Sequence, residues 1–560
     1  MQTTHEVTNQ AEPLVDVNLF TTNRPLHAAL AYHHPDFDRE RFEALGAEMG
    51  SATMLTHARL ANHYSPKLRT HDRVGHRLDE VEFHPSYHAL MGAALRHRLH
   101  ATPWGEAPGS HVERAAAFML FTEAEPSVLC PVSMSYAVTP ALRRNAALYA
   151  AWGPGLMATD YDPSFQPYGG KTALTMGMGM TEKQGGSDVR SNTTRADPDG
   201  EDDWGRRFLI TGHKWFMSAP MSDAFLVLAQ GPGGLSCYFL PRWRRDGTPN
   251  AMTIERLKHK LGNQANASSE VEFHGAQAWL VGTEGRGVSQ ILEMGSITRL
   301  DCALGTSGLM RQALSLAIHH CTQRRAFGLP LVEQPAMQSV LADLALESEA
   351  ATALALRLAR SLDRTEHGQD ADGFEAVMRR VLTPVSKFWI CKRGSAFGQE
   401  AMECLGGNGY VEDEGEGVMA RIYREMPVNS IWEGAGNIQA LDLLRALRSG
   451  VRGQGSRYDT VADALMAETE AARAASPSVA RLAARVTAAL QAEADEAGAR
   501  ALARDTALLV QASLLHAHST DEVFAAFCRS RLEGASDVFG LLPKTLPLQA
   551  LIERAAPVAD

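Results

Sequence analysis

The chain has 560 residues, 45% of them hydrophobic, enough for several buried cores and for more than one domain at ~100–200 residues each. Its formal net charge of −11 supplies no global attraction to a phosphate backbone or an anionic membrane, which weighs against a dedicated nucleic-acid binder. The seven cysteines (Cys130, Cys237, Cys302, Cys321, Cys391, Cys404, Cys528) are scattered without a C-x-x-C pair, which argues against a disulfide framework or a zinc site and fits a reducing compartment.

The first residues, MQTTHEVTNQAEP, lack the basic and then apolar stretches of a leader, and no run of ~18 uninterrupted apolar residues follows anywhere. A cytoplasmic, unanchored protein is expected. Residues 1–172 read as a helical domain, with apolar residues at three and four spacing around Phe42, Tyr87 and Val112. The histidines there, such as His57, His63, His84 and His88, show no repeated spacing, so no metal is assigned. From 173 to 285 short apolar runs separated by turn residues (Phe208-Leu-Ile-Thr-Gly, Ala224-Phe-Leu-Val-Leu-Ala-Gln, Ser236-Cys-Tyr-Phe-Leu) predict a β domain. Long helical periods return over 286–450, and an Ala-rich helical region fills 451–560 after a Gly/Ser-rich linker.

Several stretches carry residues suited to chemistry. In Met426-Pro-Val-Asn-Ser-Ile-Trp-Glu-Gly-Ala-Gly, Glu433 sits among apolar and small residues. Lost solvation raises such a carboxyl toward the range of a general base, although an acid near a helix start is also favoured by the helix dipole. The glycines and hydroxyls of Gly177 to Thr194 suit close approach to a flat or phosphorylated ligand, or else a polar β connection. A dinucleotide fingerprint is absent, since no third glycine and no βαβ alternation follow Gly177-x-Gly179. Ile210-Thr-Gly-His-Lys-Trp-Phe-Met-Ser places aromatics beside a hydroxyl, as for a conjugated ring or an ordinary core. Gln323-Arg-Arg-Ala-Phe-Gly suits a pyrophosphate and an adenine, or is a basic helix end. The glycines of Glu403-Cys-Leu-Gly-Gly-Asn-Gly-Tyr expose backbone N–H groups to an anion, or simply stop a helix.

In order and content these stretches resemble the acyl-CoA dehydrogenase flavoprotein family: Met180 to Asp188, Ile210 to Ser218, Arg324 to Gly328, Gly406 to Tyr410 and Trp432-Glu-Gly-Ala435. Met180 to Val189, Leu261 to Ser268, Tyr423 to Gly434 and the extra C-terminal helices resemble its AidB branch, which is associated with the adaptive response to DNA alkylation. The resemblance implies an α+β multidomain fold: an N-terminal helical domain, a middle β-barrel or sheet domain, a four-helix-bundle domain and an extra C-terminal helical region. It further implies FAD held between the middle and bundle domains of a homotetramer. Met180, Thr181 and Ser187 would line the flavin and Phe216, Met217 and Ser218 flank its ring. Ile431, Trp432, Gly434, Asn437 and Gln439 would approach it from the bundle. Arg324 and Phe327 would reach the adenine across a subunit interface, with Gly406 and Gly407 at the pyrophosphate. Glu433 takes the place of the base, and the position that supplies it in other members holds Thr298. Departures are Phe216 for a Trp, Ala435 for a Thr or Ser, Glu403 for a Gln, and Pro335 for a Gln with Gln334 beside it.

The implied activity is oxidation of a CH–CH pair in an acyl-CoA-like substrate, with an electron acceptor that the sequence does not name. Two alternatives stand beside it. One is a protective flavoprotein that binds double-stranded DNA, with Arg445, Arg448, Arg452 and Arg457 as its contacts and Arg379, Arg380, Lys387, Lys392 and Arg393 on a neighbouring run. Solvated helix faces are the plainer account of those cations. The other is an oxidase that passes its electrons to oxygen.

Overall fold

The computed structural model describes residues 4–412, 418–448, 460–492, 495–534 and 538–558. The chain opens with α1 (Arg24–His33), α2 (Arg39–Met49) and α3 (Ala52–His63), a strand pair β1 (Lys67–His71) and β2 (Arg77–Glu82), and α4 (Pro85–Arg96). Then come α5 (Ser110–Ala124), α6 (Leu129–Ala137), α7 (Thr139–Leu142) and α8 (Ala146–Met157). Seven strands follow: β3 (Met176–Thr181), β4 (Arg195–Asp202), β5 (Gly205–Ser218), β6 (Ala224–Gly231), β7 (Gly234–Pro241), β8 (Met252–Leu257) and β9 (Ser268–Leu280). After α9 (Gly287–Gln323), the short pair β10 (Arg325–Ala326) and β11 (Leu329–Pro330) leads into α10 (Pro335–Glu366), α11 (Phe374–Cys404), α12 (Gly407–Tyr410), α13 (Val418–Ile431) and α14 (Gly436–Arg448). The last helices are α15 (Val461–Glu468), α16 (Glu470–Ala475), α17 (Pro477–Gln491), α18 (Ala499–His518), α19 (Asp521–Phe527) and α20 (Leu548–Ala555). The expected sequence of helical region, sheet and helical region is observed.

The chain divides into two compact units. One, the sheet unit, comprises residues 56–107 and 125–298. Its strand pairings close on themselves: β3 pairs antiparallel with β5 and parallel with β6, while β9 pairs with β5 and β7, and β7 with β6. Closure removes free edges from the ring. The interior is filled by Phe208, Ile210, Met217, Phe225, Val227, Tyr238, Val271 and Phe273. The unbroken apolar run of β6 is buried along Ala224–Ala229 on both faces, as expected of a strand covered on two sides.

The strand pair β1–β2 departs from the all-helical expectation for residues 1–172. It pairs Lys67 with Glu82 and Arg69 with Glu80, so most of its side chains are charged; of its three apolar residues, Leu68, Leu78 and Val81, the first and last pack on the barrel core. Asp79 ties it to β8 by accepting the Ile254 N–H at 3.1 Å.

The other unit, residues 1–55, 108–124 and 299–560, is helical. Helix α11 packs against α10, α13 and α14, and α5 lies on α10. Close approach of α9 to α5 needs Gly308, where a Cβ would stand 2.6 Å from the Met119 carbonyl oxygen. The C-terminal helices belong to this same unit: α18 packs on α10, α11 and α14, and α20 on α10. Buried charges fix that packing. Arg357 on α10 pairs with Glu375 of α11 at 2.8 Å and with Glu468 of α15 at 2.6 Å.

Candidate active site

Helix α13 ends at Ile431, and Trp432 adds one more helical bond, its N–H donating to the Val428 carbonyl at 3.1 Å. The chain then turns left-handed at two successive residues, Glu433 (φ 58°) and Gly434 (φ 97°), before α14 begins at Gly436. Glycine accepts this conformation freely, but a glutamate in it stores ~1–3 kcal/mol of strain, so something must hold the turn. Three side chains do. Arg299 Nε donates to the Glu433 carbonyl at 3.0 Å, and Lys387 Nζ donates to the Gly434 carbonyl at 2.6 Å. Gln439 Nε2 reaches both carbonyls, at 3.0 and 2.8 Å. Arg299 is in turn fixed by Asp442 at 2.8 Å, which also pairs with Arg380 at 3.0 Å. Burial pushes the Asp442 carboxyl up, but Arg380 and Arg299 hold it below its ordinary value, so it stays a carboxylate.

The Glu433 side chain is half-buried and lies within electrostatic reach of Cys302 on α9. Burial drives that thiol far above its ordinary value, Lys387 opposes the shift, and Cys391, Glu433 and Asp301 add to it. At the alternative base position Thr298 donates its hydroxyl to the Gly295 carbonyl at 3.1 Å, so it supplies no acid or base. Of the neighbouring residues, Ile431 is 64% exposed, Trp432 is half-buried with its indole N–H on Asn429 Oδ1, and Asn437 is exposed. Gln439 is buried and gives its amide to the Glu433 turn, so it positions that turn rather than presenting itself to a ligand.

In the sheet unit, β3–β5 pairing brings two separate motifs together. Met178 faces Ser218, Gly179 faces Met217 and Thr181 faces Phe216, with a bulge in between. Met180, Thr181 and Ser218 are half-buried, Ser187 is exposed and the Phe216 ring is 48% exposed. Met217 behaves differently from the expected ring-flanking residue. Its side chain is fully buried in the barrel core, so only its backbone faces outward. Beneath this edge lies a buried ion pair, Lys214 Nζ to Glu182 at 2.8 Å. Glu182 also accepts the Thr193 N–H at 2.7 Å and the Thr194 N–H at 3.2 Å, and Lys214 also donates to the Leu228 carbonyl at 2.8 Å. Against burial, Lys214 and these donors bring Glu182 down to about 2, while burial brings Lys214 down to about 8, leaving both charged at neutral pH. The Glu of the first motif and the Lys of the second are thus the clamp that sets their register. No sequence motif included Lys258, whose ammonium lies 3.3 Å from the Trp215 ring centre and 4.5 Å from that of Phe216.

Back in the helical unit, β10 and β11 are joined by Phe327 (φ 52°) and Gly328 (φ 86°), the two-residue left-handed turn of a tight hairpin. Phe327 is 99% exposed. Gln334 gives its amide to the Ala326 carbonyl at 2.9 Å, so it supports the hairpin beside Pro335, which starts α10. Gly406 (φ 60°) and Gly407 are exposed, with open space where each Cβ would be. Arg445 is exposed on α14; Arg452, Arg457 and the Arg448 side chain lie outside the described residues. Four of the five nearby cations are engaged, Arg379 with Glu366 at 2.8 Å, Arg380 with Asp442, Arg393 with Glu347 at 3.1 Å, and Lys387 with the Glu433 turn, while Lys392 is exposed. Among the described residues no three His, Cys, Asp or Glu side chains gather as metal ligands, and no helix is long and apolar enough to cross a membrane.

Phe216, Phe327, Tyr410 and Ile431 are large apolar side chains at 48%, 99%, 78% and 64% exposure, and each lies in one of the motif stretches. Such surface is costly to leave in water.

Residues 9–163 match the family model for the adaptive response protein AidB N-terminal domain, 177–276 the acyl-CoA dehydrogenase middle domain, and 285–448 the acyl-CoA dehydrogenase C-terminal domain. The chain is 49% identical over 468 residues to the putative acyl-CoA dehydrogenase AidB of Escherichia coli (strain K12), covering 83% of each protein. It is 32% identical over 397 residues to acyl-CoA dehydrogenase family member 11 of Caenorhabditis elegans, covering 68% of this chain and 62% of that one. Among solved structures, Bd2924 in its apo form superposes with TM-score 0.82 at 30% identity, covering 92% of this chain and 100% of that one. Caenorhabditis elegans ACDH-11 in complex with C11-CoA superposes with TM-score 0.80 at 25% identity, covering 95% of each. The chain belongs to the acyl-CoA dehydrogenase family, in its AidB branch.

Proposed function

We propose that the protein is an FAD-dependent oxidoreductase that removes a proton and a hydride from adjacent carbons of an acyl-CoA-like thioester, with Glu433 as the base. The observation that carries this reading is the turn at Glu433, strained and held at two carbonyls by Arg299, Lys387 and Gln439. A base fixed in this way keeps its carboxylate aimed, and misplacement by ~1 Å costs on the order of 10²-fold in rate. Glu433 takes the proton from the carbon next to the thioester carbonyl. Negative charge then develops on the thioester oxygen, where a backbone N–H donor, that of Glu433 in the family's pattern, stabilises it. Bound FAD would supply the hydride acceptor. Met180, Thr181, Ser187, Phe216, Ser218 and the Met217 backbone would hold its ring, Arg324 and Phe327 its adenine end, and Gly406 and Gly407 its pyrophosphate. The C11-CoA bound to ACDH-11 supports an acyl-CoA as the substrate class.

The test is anaerobic bleaching of the flavin's visible absorbance by a panel of acyl-CoA thioesters, in wild type and Glu433→Gln. Bleaching by one thioester that the variant loses is expected. A flavin that no thioester bleaches would refute the dehydrogenase. Peroxide released during turnover would identify an oxidase.

A second reading, a DNA-protecting flavoprotein, is favoured by the match of residues 9–163 to the adaptive response protein domain and by the exposure of Arg445. It is weakened by the engagement of Arg379, Arg380, Lys387 and Arg393 within the protein. Binding to duplex DNA over a salt series tests it: Arg445→Gln should flatten the log–log slope by ~0.9 if that side chain neutralises a phosphate. An unchanged slope removes Arg445 from the reading. A cytoplasmic homotetramer accompanies both readings. The bare Phe327 ring supports assembly, and sedimentation of the purified protein checks it.

A further inference from the structure

The N-terminal segment before α1 makes a set of bonds that the proposed chemistry does not use. Asn9 is left-handed (φ 57°), a conformation its short polar side chain tolerates. Its side-chain amide binds the Arg325 backbone at two points: Nδ2 donates to the Arg325 carbonyl at 2.8 Å, and Oδ1 accepts the Arg325 N–H at 2.8 Å. The Asn9 carbonyl accepts a bond from the Arg324 guanidinium. Gln10 Oε1 accepts from the Asn408 amide at 3.2 Å. The Glu12 N–H donates to Gln323 Oε1 at 2.8 Å, and the Glu12 carbonyl lies 2.7 Å from His319 Nε2.

Residues 9–12 therefore touch both stretches assigned to the far half of the cofactor, Gln323 to Gly328 and Gly406 to Asn408. A two-residue hairpin such as β10–β11 is marginal by itself. Asn9 pairs with its edge as a neighbouring strand would, and so fixes the base of the turn that carries Phe327. Asn9 also holds the Arg324 guanidinium, and Gln10 holds the Asn408 side chain next to Gly406 and Gly407. The barrel edge at Met180 and Phe216, assigned to the flavin ring, receives none of these bonds.

We infer that residues 9–12 are a positioning strap for the adenine half of the cofactor, and that they set the protein's preference for FAD over FMN. The inference rests on the FAD reading above. FMN has the same ring but ends at its first phosphate, so the strap should matter to FAD alone. A segment that merely stabilised the fold would affect both flavins equally.

The experiment uses full-length protein stripped of flavin, with FAD and FMN affinities measured by flavin fluorescence. Asn9→Gly keeps the left-handed backbone and removes the side chain. With two hydrogen bonds lost it should weaken FAD by about tenfold and leave FMN at its wild-type affinity. Asn9→Asp keeps the acceptor for the Arg325 N–H and should fall between the two. Thermal melts of the flavin-free forms show that each variant is folded. Equal weakening of FAD and FMN, or unchanged FAD affinity in Asn9→Gly, would overturn the strap and leave the cofactor reading intact. A wild-type protein that binds no FAD would overturn both.

Discussion

Replacing Lys387 with Met puts the hold on the base turn to the test. The ammonium is buried, 2% exposed, and its bond to the Gly434 carbonyl is 2.6 Å long. A hydrogen bond to a charged group contributes ~1.5–3 kcal/mol, part of which is returned when an ammonium no longer has to be desolvated. A net loss of ~1–2 kcal/mol of stability is expected. That sum is comparable with the ~1–3 kcal/mol of left-handed strain at Glu433. With Gly434 then held by Gln439 alone at 2.8 Å, the turn should relax in a sizeable fraction of molecules. Thioester-driven bleaching should slow by ~10–100-fold, more than the stability change alone would bring. Stopped-flow bleaching gives the rate and urea melts give the stability, with Lys387→Arg as the charge-conserving control. A folded Lys387→Met protein that loses stability but bleaches at the wild-type rate would show that the base does not depend on this pin, and the account of the turn would fail.

Three further outcomes follow from buried groups. Lys214→Met leaves the Glu182 carboxylate unpaired at 0% exposure and should cost ~3–5 kcal/mol in urea melts, while Lys214→Met with Glu182→Gln should cost clearly less. Glu123 is pushed up to about 8, chiefly by burial, against the attraction of Arg311 and a bond from Asn23. The folded state therefore keeps a proton that the unfolded state has released above about 4.5. Stability should fall as pH rises from about 4.5 to about 8, and Glu123→Gln should flatten that slope in urea midpoints taken across the range. Gly308→Ala places a methyl 2.6 Å from the Met119 carbonyl oxygen and 2.9 Å from Thr122 Cβ, and should cost ~1–3 kcal/mol in the same melts.

The sequence made the order of helix, sheet and helix legible because long helical periods and short apolar runs are local signals. It made the motif residues legible because their types and order are distinctive. It did not reveal β1–β2, whose strands are mostly charged, nor the inward turn of Met217, which follows a bulge in β5 between Lys214 and Met217. Arg299, Lys387 and Gln439 come from three different helices, and their convergence on two carbonyls is a property of packing that no spacing expresses. Asn9 is more distant still, 316 residues from the backbone it binds.

On the proposed reading, the turn at Glu433 explains how a strained residue can still present its side chain reliably. A glutamate within either flanking helix would have the helix's geometry but would be tied to its axis. In the break between α13 and α14 its side chain leaves the chain in a direction that neither helix permits. The break is rigid because its donors are themselves held. Arg299 is locked by Asp442, and Asp442 is locked again by Arg380. Two cations and an amide directed at backbone carbonyls fix the main chain of the turn. On the proposed reading, a fixed main chain aims a side chain that must take a proton from a defined position.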